Sequence, residues 1–436
     1  MNGDLRAGWR QAWSYLDQLR VPHGYQASES RGGLYPAIFG RDSLWLALLL
    51  LESLDHTVDP RTHARVRETV EWALTPIVQR QATSTLDEVE AQPGKVFHAY
   101  WPQPPTDPRT GILPLVDGTT FCGFDQTFLL VVAAARFARR FPHGAFRDRL
   151  IAAARNGVGW MLRADRHPHA GLYAYRRRNP ANPIHQVWKD SFDCITHGGF
   201  DIPPGPLAWI DVQGYAHAAL RAAAWIERDD RAGAIHDPGR LEQLARELRT
   251  RADRALWWAE EDCYAVALDG DNVPVRMVTS NAGHALWGAL PSPERAATIA
   301  SRLTAGDMLT GYGLRTLSAR DRFFESDAYH RGTVWPFDNA VTVAGLLRFG
   351  LSDDAMLIAG RVVRALALIG SPVELYAVTP HQALVHPPLV APDQGELLLH
   401  RRTPPQNLVQ AFSVAGQIFM LAFIAARTGV DLDAPP

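Results

Sequence analysis

Four segments of the sequence set aromatic side chains beside carboxylates, amides and arginines. They are residues 35–45 (YPAIFGRDSLW), 187–193 (VWKDSFD), 329–339 (YHRGTVWPFDN) and 373–376 (VELY). Such mixtures suit sugars, because flat aromatic rings cover the C–H faces while charged and amide groups hydrogen-bond the hydroxyls. Any one aromatic residue at a loop–helix junction has a simpler explanation, as a plug of the core. Taken together, the four segments predict a saccharide site.

Carboxylates in two of these segments are candidates for acid–base chemistry. Asp42 stands just before an apolar helix, where a carboxylate also serves to complement the helix dipole. Asp190 and Asp193 lie in a non-helical stretch, where paired aspartates often only shape a turn. They follow Lys189, however, and Lys95 and Lys189 are the only lysines among 44 basic residues. We therefore give the WKDSFD stretch more weight than an isolated aspartate pair.

Motifs for nucleotides, nucleophilic serines and metals are missing from the sequence. It contains no G-x-x-x-x-G-K-[ST], no G-x-G-x-x-G after a strand, and no G-x-S-x-G. Cys122, Cys194 and Cys263 are expected to be small buried thiols. The histidines, His167 and His169 included, show no convincing ligand spacing. We therefore expect a protein without cofactor or metal.

The elements that must position these residues are almost all helical. Apolar residues recur with helical periodicity, strand-like runs are limited to segments such as 172–175 and 263–268, and no strand–helix alternation indicates a parallel sheet. The predicted helices are residues 4–19, 42–54, 60–80, 125–140, 145–163, 211–228, 239–258, 283–289, 294–304, 338–349, 353–369 and 408–428. Long irregular segments separate them, and loops of that length in a compact domain usually build a site. The pattern predicts one all-α domain over 1–436, a toroid of helix pairs with its loops gathered at one mouth.

Composition narrows the range of partners. The chain has 436 residues and a formal charge of −2, a balance that argues against nucleic acid as a partner. No apolar stretch reaches the roughly 20 residues of a membrane span, and the first residues do not resemble an export signal. Three widely spaced cysteines fit reduced thiols, so we expect a cytoplasmic protein. Nothing in the sequence indicates its oligomeric state.

The motifs together resemble glycogen-debranching-type amylo-α-1,6-glucosidases. The resemblance covers most of the chain, from about residue 31 to 376, and its parts occur in the order found in that family. It is carried by FGRDSLWLALLLLE (39–52), QPGKVFHAYW (92–101), WKDSFDCI (188–195), GPLAWIDVQGY (205–215), GLRTLS (313–318), YHRGTVWPFDN (329–339) and VELY (373–376). The family resemblance implies an (α/α)6 barrel, related to glucoamylase and trehalase, that hydrolyses a terminal α-linked glucose with inversion and without a cofactor.

The resemblance also assigns roles to residues. Asp190 would be the general acid and Glu374 the general base of an inverting pair. The residues expected to bind the terminal sugar are Tyr35, Phe39, Arg41, Asp42, Trp188, Lys189, Asp193, Gln213, His330 and Trp335. Trp188, Phe192 and Asp193 would raise the pKa of Asp190, and we expect Lys189 to point at substrate hydroxyls rather than at Asp190.

The region after Glu374 leaves alternatives open. A Pro-rich insertion, 377–406, separates Glu374 from 407–413 (NLVQAFS), the counterpart of a Ser-Pro-Gln-Ala-Trp segment of that family. The insertion carries Glu396, a second candidate for the base, and could act as a lid or a contact between chains. A small α-glucoside is therefore at least as suitable a substrate as glycogen. The alternatives are a trehalase-like, glucosylglycerate-hydrolase-like or phosphorolytic enzyme, a non-catalytic saccharide-binding toroid, and a purely structural helical repeat.

Overall fold

In the computed structural model, the described residues are 2–29, 37–103, 113–198, 201–379, 384–385 and 407–434. Within them the chain forms twelve α-helices, all within three residues of the predicted bounds. The helices are α1 Asn2–Gln18, α2 Gly40–Ser53, α3 Pro60–Gln79, α4 Gln126–Arg140, α5 Ala145–Arg163, α6 Ile210–Asp229, α7 Pro238–Leu256, α8 Asn281–Trp287, α9 Pro293–Leu303, α10 Pro336–Arg348, α11 Ser352–Ile369 and α12 Ala411–Thr428. The all-α prediction is confirmed.

The helices form two concentric layers. The even-numbered helices pack side by side in an inner ring, in which α12 closes against α2, and the odd-numbered helices pack outside them, with α1 against α12. This is an (α/α)6 barrel, as the resemblance implied. Inner helices are apolar on nearly all sides because they are covered on nearly all sides. For that reason α12 is long and apolar enough to cross a membrane, yet 83% of its apolar window is buried in the barrel.

Local signals fix where several helices begin and end. Asp59, Asp237 and Ser292 cap α3, α7 and α9 by accepting hydrogen bonds from backbone N–H groups of the first turn. A proline occupies the first position of each of these helices and of α10, where its missing N–H costs nothing. Gly370 and Gly429 end α11 and α12 with positive φ angles of 80° and 68°.

The strands are short and serve the loops. They are β1 Arg20–Val21, β2 Gly24–Tyr25, β3 Ile38–Phe39, β4 Ala99–Tyr100, β5 Thr119–Thr120, β6 Ala208–Trp209, β7 Trp257–Trp258, β8 Cys263–Tyr264, β9 Ala267–Leu268, β10 Pro274–Val275, β11 Leu309–Thr310, β12 Gly313–Leu314, β13 Ala377–Val378 and β14 Leu384–Val385. All the strand pairs in the described residues are antiparallel. The predicted strand at 263–268 is therefore two strands, and that at 172–175 makes only isolated bridges, from Tyr173 to Arg166 and from Tyr175 to Leu207.

The first turns of the inner helices meet at one end of the barrel. Arg41 of α2 bonds Asp125, which precedes α4, and His284 of α8 bonds Asp338 of α10. Gln410, at the start of α12, reaches back to Asp42 of α2 with a donor–acceptor distance of 2.8 Å. Carboxylates are stabilised there because the helix N-termini carry partial positive charge. This polar end is where the long loops gather.

Candidate active site

Asp190 lies at this end, on the irregular loop between α5 and α6. Its side chain is 39% exposed, and the protein packed around it is still the main influence on its pKa, so the carboxyl is both accessible and partly desolvated. Burial raises its pKa to about 6, against the opposing effect of the Arg41 guanidinium. Arg41 Nη1 is 3.8 Å from Asp190 Oδ2. A carboxyl that is accessible and keeps its proton to a higher pH than an ordinary aspartic acid suits a general acid.

Arg41 is held in place by Asp125, which the sequence analysis did not single out. The Arg41 Nε and Nη2 atoms donate to the two carboxylate oxygens at 2.7 and 3.2 Å, and Asp125 is completely buried. This paired geometry fixes the plane of the guanidinium. Arg41 therefore reaches Asp190 from a rigid support, as a residue lining the site should.

Glu374 has the opposite environment. It is only 2% exposed. Tyr329 Oη donates to its Oε1 at 2.5 Å, while the side-chain and backbone nitrogens of Asn407 donate to its Oε2 at 2.9 and 3.3 Å. Burial raises its pKa to about 7, although these bonds favour the ionised form. Glu374 is thus a fixed carboxyl that titrates near neutral pH, which suits a general base.

Asp42 is the third carboxyl of the site. Burial raises its pKa to about 7, against the charge of Arg41 and the hydrogen bond from Gln410. The charge of Asp190 also raises the pKa of Asp42, and the charge of Asp42 raises that of Glu374. The structure therefore brings together the three carboxyls that the sequence placed in separate segments.

Aromatic rings form a continuous packed group beside these carboxyls. Trp188 packs edge-on against His330 and Trp335, and the His330 and Trp335 rings are stacked with centroids 5.0 Å apart. Tyr329 packs on both, so its hydroxyl reaches Glu374 from a rigid ring cluster. These rings therefore hold the Tyr329 side chain, which donates to Glu374, in a single orientation.

The rings of Trp188, His330 and Trp335 are almost completely buried, so they support the site more than they cover a sugar. His330 Nδ1 lies 2.9 Å from Ser191 Oγ, next to the candidate acid, and burial holds the pKa of this histidine well below its usual range. Phe39 is half-buried and packs edge-on against His98 and Trp101. Among the described aromatic residues that were predicted to bind the sugar, Phe39 is the one that is not almost completely buried.

Two predicted sugar-binding residues lie elsewhere than expected. Lys189 is completely buried and donates to the Thr316 carbonyl at 2.8 Å, so it points neither at Asp190 nor at a hydroxyl in the cavity. Gln213 is also completely buried, and its amide bonds the backbone of Tyr173 and Trp209. Both side chains satisfy buried backbone groups, as polar side chains near a site often do, and their direct contact with a sugar stays a prediction.

Asp193 forms an ion pair with Arg331, at 2.9 Å from the guanidinium Nη2. It is thereby tied to the 329–339 segment and not to Asp190. Phe192, which was expected to help raise the pKa of Asp190, is 45% exposed. Asp193 and Phe192 thus shape the loop around the acid. Tyr35, Glu396 and nearly all of 377–406 lie outside the described residues.

Several site residues escaped the sequence reasoning. Tyr329, Asn407 and Gln410 lie inside motifs that were quoted but were given no role. The one feature of the sequence that could have identified them is that they lie in segments already connected with the site. Asp125 gave no signal of its own, since an aspartate before a helix is common and its partner Arg41 is 84 residues away.

Fold and site together define a class, an (α/α)6 barrel whose mouth is lined by coupled carboxyls. Residues 202–376 match the family model described as the mannosylglycerate hydrolase MGH1-like glycoside hydrolase domain, which is less than half of the chain. Among curated proteins, none matches this sequence.

Solved structures with the same fold cover almost the whole chain. An uncharacterised conserved protein from Thermus thermophilus is 16% identical, with a TM-score of 0.66 over 95% of this chain and 99% of its own. The GH63 mannosylglycerate hydrolase of that organism, in complex with glucose, is 17% identical, with a TM-score of 0.63 over 94% of this chain and 98% of its own. A wild-type glycosidase is 14% identical, with a TM-score of 0.61 over 98% of both chains. These similarities show the fold. With the family match they support a glycoside hydrolase, without singling out the amylo-α-1,6-glucosidases.

Proposed function

We propose that this protein is an inverting glycoside hydrolase that removes a terminal α-linked glucose from a small glucoside. One observation carries the proposal. An accessible carboxyl with a raised pKa, Asp190, shares the barrel mouth with a fixed and fully bonded carboxyl, Glu374. Glycoside hydrolysis uses an acid with a raised pKa and a second carboxyl, and the family resemblance supplies the inverting outcome of the proposal.

The reaction follows from those two environments. Protonated Asp190 gives its proton to the glycosidic oxygen as the bond from that oxygen to the anomeric carbon breaks. Glu374 takes a proton from a water molecule, whose oxygen attacks the anomeric carbon from the opposite face. The products are β-glucose and the free alcohol. Arg41 and Asp42 are placed to bind hydroxyls of the terminal sugar, in the positions the resemblance gave them.

A sugar linked to glycerate is the substrate class we would test first. Its support is the family match and the T. thermophilus hydrolase, which was solved with D-glycerate as well as with glucose. Compared with the branched α-1,6 linkages of glycogen, this class needs only a small pocket. Hydrolysis is favoured over phosphorolysis because Glu374 supplies a base for water, which phosphorolysis does not need.

The test is sugar release from a panel of small glycosides. It includes glucosylglycerate, mannosylglycerate, glucosylglycerol, isomaltose, maltose, trehalose, kojibiose, sucrose and a branched limit dextrin, with the anomer followed by NMR. We expect the first sugar released to be the β-anomer, at a rate independent of phosphate. Release of the α-anomer would contradict inversion, and dependence on phosphate would indicate a phosphorylase. Binding without turnover would support a non-catalytic toroid.

A further inference from the structure

The loop that carries Asp190 has no secondary structure of its own just before the acid. Residues 176–187 contain neither helix nor strand. A general acid needs a defined direction, since a displacement of about 1 Å can cost a hundredfold in rate. Something outside the loop must therefore hold it.

One carboxylate gathers this loop. Glu90 Oε1 accepts from the backbone nitrogens of Arg178 and Asn179, both at 3.2 Å, and from Asn182 Nδ2 at 2.9 Å. Gln186 Nε2 donates to both Glu90 oxygens, at 3.1 and 3.0 Å. Four residues of the loop are thus fixed to one side chain, and the last of them is four residues before Asp190.

Glu90 is itself rigidly placed. It is 4% exposed and sits at a left-handed φ of 56°, at the end of a turn. Its backbone carbonyl accepts from Lys95 Nζ at 3.0 Å, and burial lowers the pKa of this lysine to about 8. Lys95, one of the two lysines of the chain, therefore helps to hold Glu90 in place. Hydrogen bonds to a charged acceptor are stronger than neutral ones, so this arrangement is a firm anchor.

The anchor also ties the loop to the partner of the acid. The Gln186 carbonyl accepts from the backbone nitrogen of Phe124 at 2.8 Å. Phe124 precedes Asp125, which holds Arg41 opposite Asp190. Gln186 thus joins the Glu90 anchor to the support of Arg41, and both sides of the Asp190–Arg41 contact are set from one place.

We propose that Glu90 is a positioning residue for the catalytic acid, and that it acts through the loop 178–186. This inference rests on the proposed role of Asp190. The Glu90 carboxylate bonds the loop and not Asp190 itself, so changing it should weaken the delivery of the proton and leave sugar binding and water activation largely intact.

The experiment compares two leaving groups in Glu90→Gln. This change keeps the shape but turns one acceptor oxygen into a donor that faces N–H groups. On the glucoside of the panel that the wild-type protein cleaves fastest, we expect kcat to fall about 10- to 100-fold. The alcohol of such a glucoside must be protonated to leave. On α-glucosyl fluoride we expect a loss below about threefold, because fluoride departs with little help from an acid. Glu88→Gln is the matched control, since the Glu88 side chain is exposed two residues away, and it should behave as wild type on both substrates.

An equal loss on both substrates would overturn the proposal, as it would show a general structural role, and so would no loss on either. If Glu90→Gln does not fold, Gln186→Leu removes only the two bonds from the Gln186 side chain to Glu90. It should lower kcat on the glucoside more than kcat on α-glucosyl fluoride, by a smaller factor than Glu90→Gln. Should the wild-type protein cleave neither substrate, the proposed function fails. Hydrogen exchange then tests the anchor alone: faster exchange across 178–190 in Glu90→Gln than in Glu88→Gln would support it, and equal exchange would overturn it.

Discussion

The two candidate catalytic carboxyls are held in contrasting ways. Glu374 is fixed by three hydrogen bonds made directly to its carboxylate, from Tyr329 and Asn407, and is almost completely buried. Asp190 is two-fifths exposed, and its nearest charged partner, Arg41, is 3.8 Å away. The loop around Asp190 carries the bonds instead, through Glu90 on one flank and Asp193 on the other.

The difference follows from what each carboxyl must do. An acid has to give up its proton to a substrate atom, so direct bonds to its oxygens would compete with the reaction. A base has to orient a water molecule and accept its proton, and it gains from being fixed in one direction. The proposed base is thus restrained at its side chain, and the proposed acid mainly through the loop that carries it.

The largest expected effects come from removing each carboxyl. Asp190→Asn and Glu374→Gln should each lower kcat on the natural glucoside by at least about a thousandfold. On α-glucosyl fluoride the two variants should diverge. Asp190→Asn should recover most of its loss, since fluoride needs little protonation, whereas Glu374→Gln should stay impaired because water must still be activated. Steady-state kinetics on both substrates measures this.

Azide provides the control for that pair. A small anion that needs no deprotonation should restore turnover of α-glucosyl fluoride by Glu374→Gln and give the β-glycosyl azide. Near-full activity of Asp190→Asn on the natural substrate would refute the acid assignment. Near-full activity of Glu374→Gln would move the base to Glu396.

The next largest effect, roughly tenfold, is the expected change of activity with pH. The proposed mechanism requires Asp190 protonated and Glu374 ionised, so high pH lowers activity by ionising Asp190 and low pH lowers it by protonating Glu374. With these pKa values at about 6 and about 7, the acid has the lower one. The form with Asp190 protonated and Glu374 ionised is then a minority of roughly one in seventeen at its maximum, near pH 6.5, and the pH profile is a narrow bell.

Asn407→Ala sharpens this test. It removes the side-chain hydrogen bond from Asn407, which favours the ionised form of Glu374, and keeps the bond from the Asn407 backbone nitrogen, so the pKa of Glu374 rises further. The alkaline break in kcat/KM should move to higher pH and the maximal activity should fall, while the break near pH 6 stays. An unchanged alkaline break would show that Glu374 does not control it.

The smallest kinetic effect is expected at Gln213, whose amide bonds buried backbone groups. Gln213→Ala leaves the Tyr173 N–H and C=O unpaired and should lower the free energy of unfolding by about 1–3 kcal/mol. Its KM should change little. Exposed Gln243 on α7 is the control, where alanine should cost under about 0.5 kcal/mol. Denaturation curves measure the loss of stability, and steady-state kinetics measure KM. A large rise in KM would show that Gln213 does contact the sugar.

The fold was predictable because its signals are local. Apolar periodicity, capping residues such as Asp59 and helix-ending glycines such as Gly370 each act within a few residues. The site was predictable only as a set of segments. Direction was not encoded in the same way: Lys189 follows Trp188 in a motif, yet its ammonium turns to Thr316, 127 residues away. Glu90 and its loop are likewise about 90 residues apart.

The closing contact of the inner ring has a consequence for how the protein folds. Gln410 at the start of α12 bonds Asp42 at the start of α2 across 368 residues, and Asn407 completes the bonds of Glu374. Contacts of such long sequence separation form slowly. A chain that has folded all but its last helix would have a gap in the ring and an unheld base, so enzymatic activity should appear only with the final docking step.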